Sequence, residues 1–184
     1  MKKVNLQGFD NSSYYDPGPL VRRVLWFFVG RIFVNTYLPI PSAFKCFILR
    51  AFGANIGKGV VIKPKVNIKY PWFLEVSDYS WIGEKVWIDN FVMVKIGSNC
   101  CLSQECMLLT GNHDYKSSGF ELMPGGITLE EGAWIGAKSV VTPGRKIDSH
   151  GILTVGSILT KDIDAYEIWQ GNPAAFVRTR KIVK

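Results

Sequence analysis

The sequence predicts a mainly β fold in the form of a parallel β-helix, and three observations lead to this prediction. Aliphatic residues recur at every sixth position, as in Ile56, Ile62 and Ile68. A small or β-branched residue follows many of them four positions later, and glycine often follows them directly. A period of six fits neither an α-helix, with a period of 3.6, nor a half-buried strand, with a period of 2. A short strand and a tight turn do fit it, and three such units would close a triangular coil that stacks into parallel sheets on three faces.

Interruptions of the repeat divide the chain. The aliphatic rhythm shifts by two residues at Leu74-Glu75 and again at Val94-Lys95, which predicts matching insertions at one corner of successive coils. The rhythm breaks off between Leu109 and Ile127. We therefore assign the β-helix to residues 55–164, with one long loop at 110–126.

The ends of the chain lack the repeat. Residues 1–54 are predicted to form a helical cap, with one or two helices within 17–52, because prolines precede and divide an apolar run there. Segment 20–49 places arginines beside aromatic residues, which leaves two interpretations open. It could cover the open end of the β-helix, or it could contact a membrane surface. Residues 165–184 are predicted to form a tail that packs back along the last coil.

A few residues stand out against the repeat. Arg145 occupies a small inward position, so either its turn is distorted or its side chain points outward. Trp81, Trp87 and Trp134 occupy outward positions. We expect Trp134 to contact a ligand and the other two to pack at an interface between subunits.

The composition of the chain limits the kinds of partner and site that can be expected. The chain has 22 Lys and Arg against 15 Asp and Glu, a formal charge of +7, which favours an anionic partner. Nucleic acid has only this net charge in its favour, so we do not predict it. Four cysteines without a C-x-x-C pair and only two histidines argue against a zinc site or a disulfide framework, and no metal is expected. The thiols fit a reducing, cytoplasmic compartment.

His113 is the strongest candidate for catalysis because it lies in the loop that interrupts the repeat. A positioned imidazole can remove the proton of a hydroxyl as that hydroxyl attacks a thioester. Asp114 could orient the ring, and a backbone carbonyl could serve instead. His150 lies in a regular turn and is expected to be a surface residue.

Three motifs carry a resemblance to a known family. Lys69-Tyr70-Pro71-Trp72, the segment Asp78–Glu84 and the segment Thr110–Tyr115 resemble the O-acetyltransferases of colanic acid and related polysaccharide biosynthesis. These enzymes are relatives of the maltose and galactoside acetyltransferases in the hexapeptide-repeat superfamily. The resemblance runs from Asn5 to Val183. It implies a left-handed β-helix, acetyl-CoA as co-substrate, and His113 as the catalytic base.

The resemblance also implies a homotrimer with active sites between subunits, where acetyl-CoA binds in a cleft. Ala137 and Val155 are eighteen residues apart, as are Thr142 and Thr160, so each pair should stack in adjacent coils and offer backbone groups to the pantetheine arm. The full set expected to contact the cofactor is Trp134, Gly136, Ala137, Thr142, Val155, Gly156, Thr160, Lys161 and Arg178.

Asp89, Asn90 and Tyr115 are expected to bind the saccharide acceptor. The predicted function is therefore transfer of acetyl from acetyl-CoA to a saccharide hydroxyl in exopolysaccharide or capsule biosynthesis. The expected location is the cytoplasm, with membrane contact at its inner face left open. The alternative is a catalytically silent trimer that serves as a binding or scaffolding β-helix.

Overall fold

The computed structural model describes residues 3–183, which form a parallel β-helix preceded by two α-helices. Helix α1 is Leu20–Phe33 and helix α2 is Ser42–Ala51. Short 3-10 helices lie at Leu6–Gly8 and Pro71–Phe73. The fold confirms the predicted β-helix with a helical segment at its N-terminal end.

Three sheets form the faces of the β-helix, and each coil contributes one strand to each sheet. The first sheet contains β1 (Asn55–Ile56), β4 (Leu74–Val76), β7 (Val94–Ile96), β10 (Ile127–Leu129) and β13 (Lys146–Ile147). The second sheet contains β2 (Val61–Ile62), β5 (Trp81–Ile82), β8 (Cys101–Leu102), β11 (Trp134–Ile135), β14 (Ile152–Leu153), β16 (Glu167–Gly171) and β17 (Ala174–Thr179). The third sheet contains β3 (Asn67–Ile68), β6 (Trp87–Asp89), β9 (Met107–Leu109), β12 (Val140–Val141) and β15 (Ile158–Leu159).

Strand register explains the shifts in the sequence repeat. In the lower coils paired residues are twenty apart, as in Val61 with Trp81. Above the loop they are eighteen apart, as in Val140 with Ile158. The two extra residues of each lower coil fall where the chain passes from the third sheet to the first sheet of the next coil, which we call the third-to-first corner. The predicted insertions at one corner are confirmed.

The core of the β-helix is a stack of inward aliphatic residues. The predicted residues at every sixth position are buried along the whole helix, from Ile56 to Leu159. Cys100 and Cys106 fill small inward positions and are buried free thiols, as a small apolar slot requires. The side chain of Arg145 points outward, which is the second of the two expected arrangements. Its guanidinium Nη1 lies 3.3 Å from the carboxylate of Asp162.

The helices supply hydrogen-bond partners to the first coil, which has no coil beneath it. An uncovered strand edge needs such partners because its backbone groups would otherwise be buried unpaired. Ile62 N donates to Ser42 Oγ, and Lys45 Nζ donates to Ile62 O and Lys63 O. Arg50 Nε donates to Ile56 O at 2.9 Å. The inner faces of the helices thus cover this end of the β-helix.

The C-terminal segment extends the second sheet. Strand β16 pairs in parallel with β14, and β17 returns antiparallel to β16. Arg180 Nη1 then donates to the carbonyls of Gly132 and His150. The final residues therefore run back beside the upper coils.

Candidate active site

The long loop leaves the β-helix at the third-to-first corner, directly above the two shorter insertions. Its first residue, Thr110, is fully buried. The Thr110 hydroxyl donates to Asp89 O at 2.9 Å and accepts from Phe91 N at 2.8 Å. The base of the loop is therefore held by the coil beneath it.

The loop itself is a short antiparallel ribbon. Asn112 and Met123 exchange two backbone hydrogen bonds, and Asp114 N donates to Glu121 O. Residues near the N-terminus of the chain support this ribbon from outside: Leu122 N donates to Tyr14 Oη at 3.0 Å, and Asn5 N donates to Ser118 O at 2.9 Å. Such pairing gives the side chains of the ribbon fixed directions.

His113 projects from this ribbon with its ring held on two sides. The ring stacks on Phe120 with centroids 4.3 Å apart and planes 7° apart, and Phe9 tilts against it at 5.7 Å. Nδ1 lies 2.8 Å from the carbonyl oxygen of Phe120. Because a carbonyl can only accept, Nδ1 carries the hydrogen in the neutral ring, and Nε2 is left with its lone pair. This tautomer suits a general base that acts through Nε2.

Asp114 does not make the contact that would orient His113. Its Oδ1 accepts from Lys116 N at 2.9 Å within the ribbon. The Phe120 carbonyl occupies the orienting position, which is the second of the two options that the sequence left open. We therefore correct the expected role of Asp114, whose carboxylate shapes the turn at the tip of the loop.

The three residues expected to bind the acceptor have different surroundings. Asn90 is fully buried, and its amide accepts from Tyr70 N and donates to the carbonyls of Tyr70 and Phe73. With its hydrogen bonds used on the backbone, Asn90 supports the corner and does not face a ligand. Asp89 is 8% exposed and pairs with Lys69 at 3.1 Å. Tyr115 is 76% exposed at the tip of the loop.

The residues expected to hold CoA divide between two corners of the coil. Gly136, Ala137, Val155 and Gly156 lie in turns between the second and third sheets, where Gly156 N donates to Ala137 O at 2.9 Å. The other group lies at the third-to-first corner, beside the catalytic loop: Thr142, Thr160 and Lys161. Each eighteen-residue pair stacks as expected, but the two pairs are one face apart.

The remaining members of that set lie on the second sheet. Trp134 is half-exposed on its outer face, and Nε1 donates to Ser103 Oγ at 2.9 Å. Arg178 is exposed on β17. Gly136 has a structural reason to be glycine, because a Cβ there would collide with the backbone of Thr154 and Val155 in the next coil. A single chain therefore presents the residues expected to hold CoA on separate surfaces.

Sequence reasoning missed the residues that hold His113. Phe120 lies in the same loop, and an aromatic residue seven positions from the histidine was a signal that could have been used. Phe9 and Tyr14 carried no local signal, since they approach the loop from more than a hundred residues away.

Two absences complete the description of residues 3–183. No cluster of three or more His, Cys, Asp or Glu side chains within this range is arranged to hold a metal ion. No helix within it combines the length and the hydropathy needed to cross a bilayer.

Comparison with known proteins agrees with the fold. The chain is 33% identical over 176 residues to the protein named colanic acid biosynthesis acetyltransferase WcaF of Escherichia coli, covering 96% of this chain and 97% of WcaF. No family model matches the chain.

Two solved structures share the fold. A hexapeptide-repeat acetyltransferase from Vibrio cholerae, solved in complex with acetyl-CoA, has a TM-score of 0.79 at 20% identity and covers 92% of this chain and 94% of its own. A maltose O-acetyltransferase from Clostridium difficile has a TM-score of 0.77 at 22% identity and covers 92% of each chain.

The β-helix and its histidine-bearing loop define a hexapeptide-repeat acetyltransferase. Within that class, the identity over nearly the whole chain places the protein in one group: it belongs to the family of the colanic acid biosynthesis acetyltransferase WcaF.

Proposed function

We propose that this protein transfers an acetyl group from acetyl-CoA to a hydroxyl of a saccharide in the biosynthesis of an exopolysaccharide or capsule. The observation that carries the proposal is the hydrogen bond between His113 Nδ1 and the Phe120 carbonyl. In the neutral ring this hydrogen bond leaves the lone pair on Nε2, and the rings of Phe120 and Phe9 limit the motion of the imidazole. A histidine held in this way is suited to remove a proton from a bound hydroxyl.

In the proposed reaction, His113 Nε2 takes the hydroxyl proton while the hydroxyl oxygen bonds to the thioester carbonyl carbon. Backbone N–H groups steady the tetrahedral oxyanion. The carbon–sulfur bond then breaks, the new ester remains on the sugar, and the imidazolium returns its proton to the departing thiolate. The Phe120 carbonyl can accept from Nδ1 in both the neutral ring and the imidazolium, so the ring can keep its orientation between these steps.

The cofactor residues support a site made from two subunits of a homotrimer. Lys161 is exposed at the same corner as the catalytic loop, whereas Val155 and Gly156 are exposed at the next corner. In the proposed trimer, the second-to-third corner of one subunit faces the loop of its neighbour, and the exposed Lys161 and Arg178 side chains offer cationic partners for phosphates. Sedimentation equilibrium tests the trimer, and a monomer that is fully active would overturn it.

The proposal specifies that the acetyl group is transferred to an oxygen atom and not to a nitrogen atom. A hydroxyl requires a base at neutral pH, which agrees with the tautomer of His113. The chemical nature of the product decides the point, since an O-acetyl ester is cleaved by mild alkali and an N-acetyl amide is not. Loss of the acetyl group from the product under mild alkali is expected, and its retention would contradict O-transfer.

The central experiment compares the two histidines. His113→Ala is expected to lower kcat roughly 100-fold or more in a CoA-release assay with a panel of saccharides, as for loss of a general base. His150→Ala removes the other imidazole, which packs at a tilt against Tyr166 outside the loop, and should leave turnover near that of the wild type. Undiminished turnover in His113→Ala would refute the assignment. If the wild type neither binds CoA nor turns over any acceptor, the silent scaffold becomes the better description.

We also propose that the outer faces of the two helices rest on an anionic membrane surface. Leu20, Val21, Leu25 and Phe28 of α1 are more than half exposed, as is Phe47 of α2. Residues 17–74 contain nine Lys and Arg and no Asp or Glu. Apolar side chains beside this excess of positive charge suit the interface of an anionic bilayer.

Vesicle sedimentation tests this contact. The protein is expected to sediment with vesicles that contain phosphatidylglycerol and not with phosphatidylcholine alone, and less so at high salt. Phe28→Ser should weaken sedimentation, whereas Tyr115→Ser, which changes a still more exposed aromatic residue outside the two helices, should not. Equal sedimentation of both variants with the wild type would contradict the proposal.

A further inference from the structure

A groove with a volume of about 430 Å³ runs between helix α1 and the third sheet, on the side of the β-helix where the catalytic loop begins. Arg23, Gly30 and Arg31 line it from the helix. Lys69, Trp87 and Asp89 line it from the coils. It is a second concave surface, distinct from the turns expected to hold CoA.

Positive charge dominates this groove. Three cationic side chains face one carboxylate, and that carboxylate is already paired with Lys69 at 3.1 Å. Within residues 3–183, no Asp or Glu oxygen lies within salt-bridge distance of Arg23 or Arg31. The Arg31 guanidinium lies over the ring of Phe27 at 4.4 Å. Two arginines are thus left to attract an anion.

Two buried polar atoms beside the groove also lack partners. Among the described residues, neither Arg23 Nε nor the Tyr15 hydroxyl meets a hydrogen-bond acceptor or donor, although both atoms are buried. Burial of a donor without a partner costs free energy, so the arrangement favours a ligand that supplies acceptors. Burial raises the pKa of Tyr15, which keeps its hydroxyl protonated as a donor.

The groove leads to the base of the catalytic loop through one aromatic residue. The ring of Phe91 lies 3.5 Å from Lys69 Nζ and 5.8 Å from the Tyr15 ring. On its other side Phe91 packs against Gly111, so closely that a Cβ on Gly111 would lie 2.9 Å from the ring. Gly111 is two residues from His113. A ligand in the groove would therefore sit one aromatic ring away from the loop that carries the proposed base.

We infer that this groove binds the phosphate or diphosphate group of an activated saccharide acceptor, with Arg23 and Arg31 as its principal ligands. This inference rests on the proposed function, because it identifies the acceptor of that reaction as a phosphate-linked sugar. The guanidinium groups match phosphate oxygens in charge and geometry. The protonated Tyr15 hydroxyl adds a neutral donor, and the sugar extends past Phe91 to Nε2 of His113.

A binding experiment tests the groove independently of catalysis. Inorganic pyrophosphate is titrated calorimetrically into the metal-free protein, with neither acetyl-CoA nor acceptor present. We expect saturable binding by the wild type and a roughly tenfold or greater increase in Kd for Arg31→Gln, as for loss of a charge-assisted contact. Arg31 is exposed, so this variant should fold, and Arg23→Gln provides the stronger test if its circular dichroism matches that of the wild type.

Two variants serve as matched controls. Lys63→Gln makes the same change of charge at an exposed residue outside the groove, and Lys161→Gln does so among the residues proposed to hold CoA. Lys63→Gln should bind pyrophosphate with a Kd within about twofold of the wild type, and Lys161→Gln should retain the binding that Arg31→Gln weakens. The groove assignment would be overturned if the wild type did not bind pyrophosphate, or if Lys63→Gln weakened binding as much as Arg31→Gln. It would also be overturned if Lys161→Gln abolished binding while Arg31→Gln left it unchanged.

Acceptor kinetics then identify the source of the phosphate. The same sugar is offered free, as a nucleoside diphosphate sugar and as a short polyprenyl diphosphate sugar. Arg31→Gln should lower kcat/KM at least tenfold for one or both linked forms and leave the free sugar unchanged. An equal fall for all three forms would contradict the inference. Failure of acetyl transfer with every acceptor would instead count against the proposed function, and the pyrophosphate titration would still report on the groove.

Discussion

The Nδ1 atom of His113 lies 2.8 Å from the carbonyl oxygen of Phe120, and the two rings stack 4.3 Å apart. One residue therefore sets both the tautomer and the orientation of the imidazole. The carbonyl belongs to the backbone, so the contact does not depend on a second titratable group. This distinguishes the site from a histidine oriented by a carboxylate, and it leads to the first prediction.

Asp114→Asn is expected to lower kcat by less than about threefold, against the roughly 100-fold or larger loss expected on removal of a general base. The reason is that the Asp114 carboxylate contacts Lys116 N, and an asparagine oxygen can replace it there. Steady-state kinetics at pH 7 give the comparison. Nitrogen NMR should also show the hydrogen of neutral His113 on Nδ1 in both proteins. A large fall in kcat together with a change of tautomer would restore the carboxylate as the orienting group.

Asn90→Ala is expected to reduce the free energy of unfolding by about 2–4 kcal/mol, because it leaves Tyr70 N and two carbonyls at the corner without their buried partner. Urea denaturation measures the change. Asn55→Ala offers a control at an exposed strand position, where the change should stay within about 0.5 kcal/mol. Unchanged stability with a raised KM for the acceptor would return Asn90 to the list of substrate ligands.

Trp26→Phe tests the cap over the first coil. Trp26 Nε1 donates to Ile68 O at 2.9 Å, and the side chain is buried, so phenylalanine would leave this carbonyl unpaired. We expect a loss of about 1–2 kcal/mol in the free energy of unfolding. Tyr79→Phe changes an aromatic residue that is 53% exposed in a turn, and it should have little effect. Equal losses in the two variants would mean that the indole hydrogen bond of Trp26 does not stabilise the cap.

The two buried thiols predict how stability depends on pH. Burial raises the pKa of Cys100 to about 11 and that of Cys106 to about 12, from an ordinary value of 9.0. Folding therefore retains protons that the unfolded chain loses. The contribution of each thiol to stability is fully present below pH 9.0 and is lost as pH rises through the folded pKa.

Urea denaturation between pH 8 and pH 10.5 should show a free energy of unfolding that falls above pH 9, by up to about 1.4 kcal/mol per pH unit for each thiol. Cys106→Ala should reduce this slope, since one titrating group is removed from the interior. A slope that is identical in the variant and the wild type would show that other groups cause the fall.

The sequence was sufficient for features that repeat along the chain. A residue every sixth position must point inward if each unit is one strand and one turn, so the core from Ile56 to Leu159 followed from the period alone. The two-residue shifts located the third-to-first corner, and the break in the repeat located the loop of His113. The hand of the β-helix came from the resemblance to a known family and not from the period.

Only the tertiary structure decided which groups meet at the site. Six residues move the chain from one face to the next, so the pairs Ala137 with Val155 and Thr142 with Thr160 each stack yet lie at different corners. The sequence suggested that Asn90 was available to a ligand, but its side-chain amide is hydrogen-bonded to backbone groups of Tyr70 and Phe73 in the insertion below it. Phe9 reaches His113 from the other end of the chain. The six-residue period determines which residues point inward and which stack in adjacent coils. The contacts at the site depend instead on how segments far apart in the chain pack together, and no local sequence pattern specifies that packing.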